Sequence, residues 1–362
     1  MASPIIYDAF SDGTDGLGIG VLSDAISCVV TEELNGLFEL HMTYPVKGIL
    51  FEEVMMNRLI KVDTGHQLKE QLFRIEKIET TMSDIAMIYA PHVTSIIRHI
   101  PTRERGWNSG DGVGSDIGTF LMEAWNDTQL IPSPFTVSSD FTFGEAFFAE
   151  NFSTTNAQDG LRAILEGWGG DFIFNNYHIH YAPLGRGWNS GEIISYGKNL
   201  VGFTKDENMV DVFTGVLPTA RHNNELIQGE IVRSSNADSF PYTKIKTVDF
   251  SSLFRRDERP TINRLKQLAQ EYIRLNLNTT PNVSIEIDFV ENTSINEHGS
   301  RIEALNLGDT LKVYFEHSKK FEEARVVRVE WDVLMERYKK LEVGTISQRF
   351  RDGIKRITRG GN

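Results

Sequence analysis

The succession of apolar and polar residues changes character twice along the chain. In the first hundred residues it alternates: Phe38, Leu40, Met42 and Tyr44 are interleaved with Glu39, His41 and Thr43, the period of two that a strand with one buried face requires. Runs at Ile26–Thr31, Arg58–Asp63, Leu72–Ile78 and Ile85–Ala90 predict further strands, and Asn35-Gly36 predicts a hairpin turn between two of them. Short strands at this spacing predict a closed or sandwiched antiparallel sheet.

The spacing then becomes helical. After Ser115, a good N-cap, apolar residues fall at Ile117, Phe120, Leu121, Ala124 and Trp125, one face of an amphipathic helix. A second helix is expected from near Asn156, with Leu161, Ile164, Leu165 and Trp168 on one face and Gly169-Gly170 at its end. Phe172–Phe174, Asn175-Asn176 and Tyr177–Tyr181 predict a hairpin, so residues of about 101–200 read as an α+β unit. A third helix is expected from Pro260 to Asn276, striped by Leu265, Leu268, Ala269, Tyr272 and Ile273. Alternation returns at Ile285, Ile287 and Phe289, and strands follow at Thr310–Phe315, Ala324–Trp331 and Arg337–Val343. Residues Arg233–Arg259 have little periodicity and read as long connections.

Composition narrows the class. A length of 362 residues predicts two or three domains. Hydrophobic residues at 40% and charged residues at 24% are globular values. The formal net charge of −13 speaks against a general nucleic-acid binder. The single cysteine, Cys28, excludes an intrachain disulfide framework and a cysteine-based zinc site, and its apolar run Ile26–Val30 places it in a core. The start Met1-Ala2-Ser3-Pro4 lacks a secretory pattern, and no apolar run reaches the roughly 18 residues of a membrane span. A soluble protein made in a reducing compartment is the expectation.

Candidate chemistry is sparse. His178 and His180 share one face of a strand and are the candidate metal ligands, but zinc or iron needs at least a third ligand, typically His, Asp or Glu, which the sequence does not single out. A strand that exposes two histidines is the preferred reading, with no metal or cofactor. No nucleophile elbow, zinc-protease helix or phosphate-binding loop occurs. Gly16-Leu-Gly18 begins like a dinucleotide fingerprint, yet Val21 stands where the third glycine belongs, so a flexible turn is expected. The pairs Glu32/Glu33, Glu52/Glu53 and Glu322/Glu323 read as solvated surface, because neighbours on a strand point to opposite faces. One hexapeptide recurs: Arg105-Gly-Trp-Asn-Ser-Gly110 and Arg186-Gly-Trp-Asn-Ser-Gly191. Two independent turns explain it, and the alternative is a pair of exposed loops whose Trp107 and Trp188 touch a partner or stack on sugars. The end of the chain is basic, with Arg349, Arg351, Lys355, Arg356 and Arg359 against Asp352. It reads as a solvated tail, or as one that docks on the acidic body of a neighbouring subunit through Arg349, Arg351, Lys355 and Arg356. No catalytic constellation emerges, and the residues point to a binding or structural protein.

Several segments together resemble the prophage tail protein family of tailed bacteriophages, also called tail-associated or minor structural proteins. They are Leu34-Asn-Gly-Leu-Phe-Glu-Leu-His-Met-Thr-Tyr-Pro45, Leu72-Phe-Arg-Ile75, Ala90-Pro-His-Val-Thr94, Ile193-Ile-Ser-Tyr-Gly-Lys-Asn-Leu200 after the Arg186 turn, Leu307-Gly-Asp-Thr-Leu311, Ala324-Arg-Val-Val-Arg328 and Leu341-Glu-Val-Gly344. The likeness is close to a member from a Listeria-type prophage. It implies an α+β, β-rich, multi-domain chain similar to a baseplate hub: a β-barrel-like domain at 1–100, an α+β domain at 101–202 joined by helix 256–280, a second β-barrel-like domain at 203–240 and 281–348, and a basic tail at 349–362. It further implies a homotrimer in the virion tail, made in the bacterial cytoplasm. There it would connect the tail tube or distal tail protein to tip or receptor-binding proteins, with DNA passing through unbound and no membrane insertion. The peptidase or glycan-cleaving domain of longer members is not implied here. The alternative is a cell-wall-binding or cell-wall-degrading tail protein.

Overall fold

The computed structural model describes residues 3–345 except 14–15, 17, 103–104, 108–112, 141–148, 153–155, 169, 183–184, 188, 196–199, 211, 224, 255–257, 276, 278, 280–281, 290–304 and 316–319; at some ends and edges it describes the backbone alone. The N-terminal region forms β1 (Ile5–Tyr7), β2 (Gly20–Val21), β3 (Ser27–Glu33), β4 (Phe38–Pro45), β5 (Leu59–Val62), β6 (Gln71–Arg74), β7 (Lys77–Thr80) and β8 (Ile85–Pro91). The predicted hairpin lies between β3 and β4, where Asn35 adopts φ +57° and the Glu33 amide donates to Leu37 O at 2.7 Å.

The middle region holds β9 (Arg105–Trp107), α1 (Val113–Asn126), β10 (Thr136–Ser139), β11 (Ala149–Phe152), α2 (Ala157–Trp168), β12 (Asp171–Asn175), β13 (His178–Ala182), β14 (Asn189–Ser195) and β15 (Leu200–Asn208). Helices α1 and α2 enclose Ile117, Phe120, Leu121, Trp125, Leu161 and Ile164 against Phe172, Ile179 and Tyr181 of the sheet β10-β13-β12. Asn156 starts α2 by accepting the Asp159 amide at 2.9 Å. Helix α1 begins at Val113, so Ser115 lies inside it and not at its cap.

Next come β16 (Gly215–His222), β17 (Glu225–Gln228), β18 (Val232–Arg233), β19 (Ile245–Asp249) and α3 (Ile262–Leu275). The residues Arg233–Arg259, read as long connections, thus supply the end of β18 and all of β19. Two- and five-residue strands are too short to show a period in sequence, and β19 gains its place by parallel pairing with β16. Helix α3 packs Leu265, Leu268 and Ala269 on Val216, Ala220, Phe250 and Phe254, a core of its own. The helix expected to join the 101–202 unit therefore packs elsewhere, because β16 offers it an apolar face while the face of β10-β13-β12 is already covered by α1 and α2.

The chain closes with β20 (Asn282–Phe289), β21 (Thr310–Phe315), β22 (Lys320–Asp332) and β23 (Arg337–Thr345). These do not build a separate layer. Strand β22 pairs with β23 and also with β3, Arg328 opposite Glu33 and Asp332 opposite Val29. The result is one ten-stranded sheet running β15-β20-β23-β22-β3-β4-β8-β7, with β21 joined to β22 and β14. One core follows the sheet across the join: Leu40, Met42, Tyr44 and Phe73 pack with Val326, Trp331, Leu341 and Val343. At about 1.5–3 kcal/mol for each large side chain buried, neither half can be removed without exposing the other. Among the described residues the sheet stays open, so the two barrel-like domains are not seen as closed barrels. Among the described residues no helix is long and apolar enough to cross a membrane.

Candidate functional site

The densest buried polar chemistry lies where the hairpin β12–β13 meets the ten-stranded sheet. Glu32 of β3, Asp171 of β12, Arg186 and Arg325 of β22 are each less than a tenth exposed. Arg186 Nη1 pairs with Glu32, and Arg325 Nη2 pairs with Asp171. The Asp171 carboxylate also takes the Arg186 amide at 2.6 Å and Asn35 Nδ2 at 2.8 Å, while Asn35 Oδ1 takes the Phe172 amide at 2.8 Å. Arg325 Nε donates to Gly308 O at 2.9 Å. Gly187 and Gly308 touch backbone to backbone; a Cβ on Gly187 would lie 2.3 Å from the Gly308 carbonyl carbon, and both have positive φ. Three stretches of chain about 150 residues apart converge on these groups. Buried ion pairs repay their desolvation only when the remaining hydrogen bonds are filled, as most are here.

The other end of the same hairpin is fixed without charge. Gln71, fully buried in β6, donates to Asn175 Oδ1 at 2.8 Å and accepts the Asn176 amide at 2.9 Å. His92 Nε2 lies 3.2 Å from Gln71 Oε1, so this nitrogen carries the hydrogen and Nδ1 accepts from Thr94 Oγ1 at 2.8 Å. The His92 ring stacks on Phe38 with centroids 4.2 Å apart. Burial holds it neutral, with its pKa lowered from 6.5 to about 3.

The candidate residues read from sequence fall in different surroundings. His178 and His180 lie on β13 with their rings on the face shared with Thr136 and Ser138 of β10. Ser138 Oγ stands 2.8 Å from His178 Nε2 and 2.8 Å from His180 Nδ1; Thr136 Oγ1 is 2.8 Å from His178 Nδ1, and His180 Nε2 is 3.2 Å from Asp140. Because Asp140 only accepts, one proton order satisfies all contacts: Thr136 to His178, His178 to Ser138, Ser138 to His180, His180 to Asp140. Both imidazoles are occupied by hydroxyls, and among the described residues no cluster of three or more ligand side chains could hold a metal. Trp107 belongs to β9 by its backbone, while Trp188, Arg349, Arg351, Lys355 and Arg356 lie outside the described residues. The two hexapeptide copies differ: Arg105–Trp107 is strand, whereas Arg186 sits at a bend with its side chain buried.

One expectation is corrected. Glu32 is not solvated surface; it is 5% exposed, because β22 covers β3 on that side and Arg186 compensates its charge. At the Gly16–Gly18 stretch, expected as a flexible turn, both glycines have positive φ and the Tyr7 hydroxyl donates to Gly16 O at 2.7 Å. The junction residues themselves escaped the sequence reading. The available signal was Arg325, inside the segment Ala324–Arg328 that carries the family resemblance, and Arg186, in the turn that precedes another such segment. Cys28 is fully buried, and burial raises its thiol pKa far above the usual range. Burial, with the Glu32 charge beside it, does the same to the Tyr338 phenol.

No curated protein matches the sequence. Residues 188–354 match the family described as Prophage endopeptidase tail. Among solved structures, the prophage tail protein gp18 from Listeria monocytogenes EGD-e superposes with a TM-score of 0.60 at 13% identity, covering 99% of each chain. The 43 kDa tail protein of prophage MuSo2 from Shewanella oneidensis gives 0.63 at 10% identity, covering 96% of this chain and 99% of that one. The tail protein from Neisseria meningitidis MC58 gives 0.60 at 9% identity, over 97% and 98%. In sequence over residues 188–354, and in fold over nearly its whole length, the chain is similar to the prophage tail proteins.

Proposed function

We propose that this chain is a structural part of a phage tail, a hub or tip ring of three copies between the tail tube and the distal tip. The observation that carries the reading is the shared fold over at least 96% of the chain with three tail proteins. A ten-stranded sheet that, among the described residues, has open edges at β7, β14 and β15 suits such a role. Open edges are aggregation-prone unless covered, and a ring of identical subunits covers each with a different face of its neighbour. The two barrel-like domains of a hub would then be completed by neighbouring copies.

The charge supports the same reading. A channel lined by Lys and Arg would hold DNA through phosphate contacts and slow its exit, whereas a subunit at −13 repels it. The role is structural, and the peptidase activity in the family's name is not proposed for this chain. Deleting the coding segment from the prophage and imaging induced particles by electron microscopy tests this. Tubes without a distal tip, restored by supplying the protein, are expected; intact and infectious tails would overturn the proposal. Incubation with purified cell wall separates the alternative, since pelleting or released fragments would favour a wall-binding or wall-degrading protein.

A further inference from the structure

The turn between β3 and β4 carries the chain's single Asn-Gly step, Asn35-Gly36, and its asparagine does more than reverse the chain. At φ +57°, Asn35 reaches across to the start of β12. Its Nδ2 donates to Asp171 Oδ1 at 2.8 Å and to Gly170 O at 3.3 Å, and its Oδ1 takes the Phe172 amide at 2.8 Å. Both ends of the side-chain amide are therefore held by the hairpin β12–β13. The Gly36 amide is held as well, donating to Glu33 O at 3.1 Å. Asn35 and Gly36 themselves lie at the surface, whereas Asp171 is buried.

Asn-Gly is the step at which a peptide chain most readily modifies itself, because glycine has no Cβ to hinder its own nitrogen. The Gly36 nitrogen gives up its proton and attacks Asn35 Cγ. An N–Cγ bond forms, the Cγ–Nδ2 bond breaks, and ammonia leaves carrying that proton, so a succinimide ring remains. Water then opens the ring. Attack at Cγ leaves aspartate, and attack at the main-chain carbonyl carbon leaves isoaspartate, whose main chain is longer by one carbon. In the docked hairpin each step is opposed: the attacking nitrogen is hydrogen-bonded, Cγ is fixed through both its substituents, and the leaving nitrogen is bound to Asp171 and Gly170.

The product cannot repeat these contacts. A carboxylate in place of the Asn35 amide sets an acceptor against Asp171 Oδ1 and Gly170 O, both acceptors. Asp171 already serves Arg325 and the Arg186 amide, and a second negative charge beside it in an almost dry site is repelled. We propose that Asn35 is a deamidation site gated by the Asp171 seam. The docked hairpin protects it, opening of the seam exposes it, and the aspartate or isoaspartate formed keeps the seam from closing. Loss of ammonia makes the change one-way. The inference concerns the joint within one chain and stands apart from the ring reading above.

Peptide mapping by mass spectrometry tests it, with the full chain held at mildly alkaline pH and sampled over time. Asn35 should convert at least about a hundred-fold more slowly in the native chain than in the chain unfolded by guanidinium. Equal rates in the two would overturn the protection. Asp171→Ala removes one anchor and should speed conversion in the folded protein at least about ten-fold. Leu265→Ala weakens the separate core under α3 and should leave the rate near that of the wild type. Equal acceleration by both variants would mean that only unfolding of the whole chain exposes Asn35, which overturns the gate. Asn35→Asp tests the consequence without relying on Asp171→Ala. Its β12 and β13 amides should exchange hydrogen at least about ten-fold faster than in the wild type, with those of β16 unchanged. Wild-type exchange in Asn35→Asp would show that the product leaves the seam closed, and would overturn that part.

Discussion

The hairpin β12–β13 is bound to the large sheet at both its ends, at the Asp171 end through two buried ion pairs and at the Asn176 end through neutral amides and a histidine. Both seams are buried and richly hydrogen-bonded, yet they respond to different conditions. A buried charge has no refuge when its partner is deleted, so the first seam is sensitive to mutation. The second seam tolerates the loss of one hydrogen bond better, but it contains a group that acid can charge. The contrast separates a seam that specifies position by charge from one that does so by shape and amide pairing.

The largest expected effect is at the charged seam. Replacing Asp171 by alanine strands Arg325 in a site that is almost dry, and the cost should be about 3–5 kcal/mol. Denaturant unfolding of Asp171→Ala against wild type measures it. An Arg325→Met, Asp171→Leu double replacement should recover much of that loss, because an apolar pair of similar bulk carries no desolvation cost. If the single and double variants are equally unstable, the carboxylate is holding the fold mainly through its backbone contacts and not through charge.

The second expected effect concerns acid. The folded chain keeps His92 neutral down to about pH 3, whereas an unfolded histidine takes its proton near 6.5. The unfolded state therefore binds more protons in that window, and stability falls as pH drops from 6.5 toward 3. The fall attributable to this one group between pH 7 and 4 is about 3 kcal/mol. His92→Gln should be less stable than wild type at neutral pH and should flatten this part of the profile; an unchanged slope would show that His92 is not the group being charged.

These seams also mark what the sequence could and could not convey. Alternation in Phe38–Tyr44 and the helical stripes of α1, α2 and α3 were readable because each element contains its own period. The pairing of β22 with β3 was not, since it joins residues about 300 apart and no local pattern encodes a partner. Glu32 looked like any surface carboxylate because burial on β3 depends on that distant strand. Arg186 was hidden in a repeated hexapeptide whose other copy lies on a strand, so the repeat did not point to a buried ion pair. The His178 and His180 pair showed the reverse: its shared face was legible, but the hydroxyls that occupy both rings come from β10, some 40 residues away.

The smallest effect is expected at that exposed chain of hydroxyls and imidazoles. Asp140→Asn removes a charge that is 66% exposed, and stability should change by less than about 0.5 kcal/mol. A loss comparable to that of Asp171→Ala would mean the histidine strand carries structural load that its exposure does not suggest.

Native-state hydrogen exchange tests most directly whether the α+β unit and the sheet form one body through the two seams. The amides of β12 and β13 should open with the same free energy as those of β3 and β22 in the wild-type chain, and in Asp171→Ala they should open first, at lower energy. A hairpin that already exchanges independently of the sheet in the wild-type protein would contradict the account.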